Sequence, residues 1–236
     1  MQTLIHKAED RGYADHGWLK SYHSFSFAHY YDPVKMGFGQ LRVINDDHIE
    51  PARGFSMHPH DNMEIISIPL SGSLAHKDSM GHQYTIASGE VQVMSAGTGV
   101  SHSEYNESTS KPVELLQIWV VPKQKNVEPR YEQKAFSSID RQKKWQLLVS
   151  PGGRDQSLYI NQDAFFSRSN LASQDSIEYK KHLPTNGVYI FLISGEIRIG
   201  NTILQARDAL GIQDTQQFTI VASKDADILA IEVPMK

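Results

Sequence analysis

Cysteine is absent from this chain of 236 residues. Its absence excludes disulfides, thiolate nucleophiles and cysteine-bound iron–sulfur clusters, and leaves imidazole and carboxylate as the strong metal ligands. Long apolar runs are missing as well, and without about eighteen apolar residues in succession no membrane-spanning helix is expected. The opening segment, Met1 to Asp10, lacks the apolar core of a signal peptide, so a cytoplasmic protein that does not bind membranes is the expectation. Basic charge is not in excess either: 23 Lys and Arg stand against 27 Asp and Glu, for a net charge of -4. The one basic cluster, Arg141-Gln142-Lys143-Lys144, reads as a solvated loop, and direct binding of nucleic acid is not expected. No nucleophile–His–acid signature occurs. Gly97-Thr98-Gly99 lacks the Lys and the following helix of a phosphate-binding loop.

Helical periodicity is scarce, and short β-branched stretches take its place. Leu41 to Ile44, Glu64 to Ile68, Glu90 to Met94 and Glu114 to Val121 are separated by turn signals at Ser71-Gly72, Met80-Gly81, Ser88-Gly89 and Gly97 to Gly99. Val188 to Ile193, Glu196 to Ile199 and Ile228 to Val233 repeat the style in the second half. This pattern predicts an all-β protein of barrels or sandwiches. A polar segment, Pro122 to Arg130, separates the halves. Leu70 to Leu74 is similar to Ile193 to Ile197, and Ala87 to Val91 to Ala206 to Leu210, at offsets of 123 and 119 residues. Such a repeat predicts two copies of one barrel unit, at residues 1–130 and 131–236. The offsets carry His58, His60 and His102 onto Lys181, Leu183 and Val221, so the second copy has the frame without the ligands.

Those ligands form two pairs, His58-Pro59-His60 and His102-Ser103-Glu104. In a strand, positions i and i+2 face the same way, so each pair aims two ligand atoms at one point. Three imidazoles and a carboxylate suit a divalent transition metal, iron above all, with positions left for substrate and oxygen.

The surroundings of the pairs resemble the two cupin motifs. Gly54, His58, His60, Glu64 and Gly72 match the first; Gly89, Gly97, Gly99, His102 and Asn106 match the second, with Gly97 where that motif normally has Pro. The pirin branch of the cupins shares this departure. Gly17-Trp18-Leu19, His23 to Phe27, Phe38 to Asp47, His76 to Gly81 and Met94 to Gly99 are all similar to pirin signatures, and the likeness is greatest to bacterial pirin-like proteins with quercetinase activity.

The resemblance implies an all-β bicupin with a metal in the N-terminal barrel and a degenerate C-terminal barrel. It implies His58, His60, His102 and Glu104 as ligands, with Glu104 displacing Glu64 from the carboxylate position. Iron(II) is the native metal so implied, although Ni, Cu, Co, Zn and Mn also suit such ligands. The implied reaction is 2,3-dioxygenation of a flavonol such as quercetin, or of another enolisable or phenolic compound, by O2 with release of carbon monoxide and with Glu104 as base. A second reading, also carried by the resemblance, is a metal- or redox-sensing regulator acting through a protein partner. A monomer is expected. His23, His29 and Tyr30 read as packed residues, and His76 and His82 as loop histidines, His76 able to orient its neighbours. Phe55, Met57 and Met94 read as cavity lining or core, and Glu64 as a structural or supporting carboxylate.

Overall fold

A computed structural model describes residues 2–236. The chain is all-β, a bicupin, with three short 3-10 turns of helix among the described residues. Among the same residues no helix is long and apolar enough to cross a membrane. In the first half, a seven-stranded antiparallel sheet runs in the spatial order Arg130–Ala135, Glu90–Ser95, Glu64–Ser71, Val113–Val120, Leu41–Ile49, Leu19–His23, Gly12–Asp15. A four-stranded sheet accompanies it, in the order Gly54–His60, Val100–Asn106, Ser73–Asp78, Gln83–Ala87. The second half forms a nine-stranded sheet dominated by the long strands Asn186–Ile199 and Gln217–Pro234.

Alternation along the strands assigns each side chain to one of two interiors. On Val113–Val120, Leu116, Ile118 and Val120 join the largest apolar cluster, which also holds Phe166, Tyr189, Phe191, Leu229 and Ile231 from the second half. The two large sheets therefore pack face to face, and each side chain of this size that is fully buried contributes about 1.5–3 kcal/mol. The other face of the same strand, with Val113 and Leu115 in a separate small cluster, looks into the first barrel. The strand Asn186–Ile199 behaves likewise: Tyr189, Phe191 and Ile193 meet the seam, whereas Val188, Ile190 and Leu192 fill the second barrel.

The halves exchange strands at both ends. Gln2–His6 pairs with Ala209–Gln213 of the second sheet, and Arg130–Ala135 pairs with Glu90–Ser95 of the first. A division of the chain after residue 130 thus runs through a strand, and sheet membership sets residues 2–6 with the second half and 130–135 with the first. The repeat is visible in the turns. Gly72 and Gly195, 123 residues apart, both have positive φ (72° and 93°). In the next turn the positive-φ residues are Gly89 and Arg207, so Arg207 rather than Asp208 is the counterpart of Gly89. The strand parity agrees, because Val91 and Ala209 both face the seam.

Candidate metal centre

The two ligand pairs lie on neighbouring strands of the small sheet, with His102 directly opposite His58. On Val100–Asn106 burial alternates, and Val100, His102, Glu104 and Asn106 point inward. On Gly54–His60 the exposed residues Met57 and Pro59 turn His58 and His60 to the opposite face. The three imidazole rings converge, with centroids 4.8 Å apart for His58 and His60, 4.5 Å for His58 and His102, and 4.9 Å for His60 and His102. One nitrogen from each lies within 4.8 Å of the others.

Their hydrogen bonding fits metal ligands. His58 Nδ1 donates to the Ser56 carbonyl at 2.8 Å, which leaves the lone pair on Nε2, the usual way a partner orients a ligating imidazole. His102 is fully buried, yet neither of its ring nitrogens has a hydrogen-bond partner. Such an orphan costs about 1–3 kcal/mol, and a cation offsets that cost. Burial, and then the charge of His58, pushes the pKa of His60 down to about 4. His102 is pushed down to about 2 by burial and the neighbouring histidines. Both rings thus offer lone pairs at neutral pH.

Gly97 explains the departure from the cupin pattern. Its φ is +50°, and a Cβ there would lie 2.1 Å from the Val127 carbonyl oxygen. Proline, fixed near −65°, cannot occupy this position in the loop that leads to Val100–Asn106.

Glu104 is buried, and its Oε2 accepts a 2.8 Å hydrogen bond from Gln117 Nε2. Ser67 Oγ lies 3.3 Å from Oε1 of Glu104 and 2.7 Å from Oε1 of Gln117. Burial raises the Glu104 carboxyl to about 7; the Ser67 and Gln117 bonds oppose this and the nearby Asp47 adds to it. Glu104 groups within 4.8 Å with His102 and His76, not with His58 and His60 together. The four expected ligands, joined by His76, therefore fall into two triads that share His102.

His76 is the residue the sequence underplayed. It sits directly across from Glu104 in the sheet, buried, with Nε2 donating to Asp78 Oδ2 at 3.1 Å and Nδ1 unpartnered. The same Asp78 oxygen takes His82 Nδ1 at 3.0 Å, so the two histidines flank one carboxylate. Glu64 has the opposite fate. It shares a strand face with Ile66 and Ile68, which meet the seam, and accepts from Ser95 Oγ at 2.8 Å and from the Asn161 backbone N–H at 3.2 Å. Its carboxylate ties the two halves together and does not face the histidines.

A cavity of about 500 Å³ opens onto His58, His60 and Glu104, within the range of small-molecule sites. Phe27, Phe55 and Trp119 form its apolar walls, and His23, His29 and Tyr30 also line it. Trp119 stands edge-on to His60 at 5.0 Å and to Phe27 at 5.3 Å. Met57 faces outward, 52% exposed, and Met94 is core.

Comparison with known proteins fits this geometry. The Pirin family model matches residues 5–120, and the model described as the quercetinase C-terminal cupin domain matches residues 147–233. The chain is 43% identical over 230 residues to the quercetin 2,3-dioxygenase of Escherichia coli (strain K12), covering 98% of each. It is 40% identical to a pirin-like protein of Caulobacter vibrioides, covering 94% of this chain and 95% of that one. The chain belongs to the pirin family. The crystal structure of the bacterial pirin YhhW from Escherichia coli in complex with nickel(II) superposes with a TM-score of 0.94 at 42% identity, covering 99% of both chains. Among the described residues of the present pirin, both clusters of candidate metal ligands lie in the first barrel.

Proposed function

We propose that this pirin is a metal-dependent dioxygenase that opens flavonols such as quercetin at the 2,3 bond, consuming O2 and releasing carbon monoxide. His58, His60 and His102 would hold a divalent metal, iron(II) in the native protein, with Glu104 as the fourth ligand. When bound, the metal supplies positive charge that favours the anionic form of an enolic hydroxyl. The observation that carries the reading is the convergence of three imidazoles, with the buried carboxyl of Glu104 beside His102, on an aromatic-walled cavity. The names and the nickel(II) complex of its relatives support it.

Glu104 accepts the proton of the substrate hydroxyl as general base. Gln117 and Ser67 fix the orientation of that carboxylate. Phe27, Phe55 and Trp119 hold a planar ring and keep water from the reacting oxygen. Oxygen uptake with quercetin, using protein stripped of metal and reloaded with iron(II), tests the reading. Metal-dependent uptake with release of carbon monoxide is expected; tight metal binding with no uptake would contradict it.

A further inference from the structure

One row of inward-facing residues crosses the seven-stranded sheet at right angles to its strands. Gln133 stands opposite Gln92, Gln92 opposite Ser67, Ser67 opposite Gln117, Gln117 opposite Asn45, and Asn45 opposite His23. Every position in it is polar. Glu104 leans on the middle of the row, through Ser67 and Gln117. From Gln117 the row continues along the cavity wall to Asn45 and His23, over two strand spacings or roughly 10 Å.

At that far end the polar groups are held by one another. His23 Nδ1 lies 2.8 Å from Asn45 Oδ1 and 3.3 Å from Ser21 Oγ, and Ser21 Oγ donates to Asp47 Oδ1. Ser21 and Asp47 are themselves directly opposite on adjacent strands. All four residues line the same cavity as His58, His60 and Glu104. Aromatic rings border this set: Phe27 packs on Trp119, and Tyr30 stacks on His23 at 6.3 Å between ring centroids.

Fixed donors and acceptors bordered by aromatic rings recognise a flat ligand that carries polar groups along its edge. A site built to hydrogen-bond a hydroxyl group also rejects the analogue that lacks it. We propose that Ser21, His23, Asn45 and Asp47 form a second recognition subsite, which binds phenolic hydroxyl groups of the substrate other than the one that meets Glu104. The proposal rests on the flavonol reading and narrows it to polyhydroxylated flavonols. Asp47 accepts from a phenolic O–H, and Asn45 donates to a phenolic oxygen.

The test compares two ligands in metal-loaded protein without oxygen: quercetin, and 3-hydroxyflavone, which has the same core and only the hydroxyl that would meet Glu104. Calorimetric affinities are measured for wild type, Asp47→Asn and Ser21→Ala, with thermal melts to establish folding. The ratio of quercetin to 3-hydroxyflavone affinity is expected to fall about tenfold in Asp47→Asn, the size of effect a lost hydrogen bond to a charged group gives, and less in Ser21→Ala. An unchanged ratio in both folded variants, including one where both affinities drop together, would overturn the subsite. Turnover under oxygen is scored separately: a changed ratio in protein that never consumes oxygen would sink the dioxygenase reading and leave the subsite standing.

Discussion

The two barrels share a frame and differ in what fills it. The first points Ser67, Gln117, Asn45 and Gln92 inward, all of them buried. The second points Val188, Ile190, Leu192, Leu210, Ile212 and Ile228 inward and closes over them. Both halves also bury carboxylates, and the contrast is sharpest between Glu104 and Glu232. Glu104 has two neutral side-chain neighbours, and burial holds its pKa up near 7. Glu232 suffers the same burial, but the His182 side chain and the backbone N–H groups of His182 and Leu183 outweigh it and hold the carboxyl below its usual range. Tyr179 and Asn186 donate to it as well. A buried carboxylate with many donors is structural; one left short of donors is ready to take a proton.

The largest effect is expected from removing a shared ligand. His102→Ala should lose stoichiometric metal by elemental analysis and all oxygen uptake, with the thermal transition of the metal-free protein retained. Glu104→Gln should keep metal yet lower kcat with quercetin by about 10²–10⁴, the usual worth of a general base. The same pair of carboxylates separates on stability. In metal-free protein Glu104 binds its proton more tightly folded than unfolded, so its cost grows from about pH 4.5 to about pH 7. Glu104→Gln should therefore be more stable than wild type at pH 8, on the order of 2–3 kcal/mol, and equal to it near pH 4. Glu232 has the opposite sign: its contribution is present above about pH 4.5 and lost as pH falls through its lower folded value. Glu232→Gln should then lose about 2–3 kcal/mol at pH 7 in denaturant titrations, with metal content unchanged.

Much of this was legible in the chain. The i, i+2 spacing sufficed to put His58 and His60 on one face, because strand parity is a local property, whereas bringing His102 to them needs the pairing of Val100–Asn106 with Gly54–His60. The two-barrel architecture followed from strand spacing and the repeated turns. What escaped depends on partners distant in sequence. The parity of Glu64 was fixed, but which face of its strand met the second half was not. The strand exchange needs pairings between residues 2–6 and 209–213. The polar row joins six strands through register, and only Gln117, Ser67 and Gln92 carried a local sign, as polar residues flanked on both sides by apolar ones. Nothing local marked His76, which lies between Ala75 and Lys77 in Ser73–Asp78.

The smallest change sharpens the first barrel alone. A Cβ on Gly12 would lie 2.3 Å from the Tyr30 ring, so Gly12→Ala should push Tyr30 off the cavity wall. Its cost is expected to be about 1 kcal/mol in stability, and quercetin KM should rise more than kcat falls.

Anomalous diffraction from crystals soaked in nickel(II) tests the division between the barrels most directly. The expected result is one strong peak within coordination distance of His58, His60, His102 and Glu104, and none in the second barrel. A peak bound by His76, His102 and Glu104 without His58 and His60, or one beside His182 and Glu232, would contradict the account.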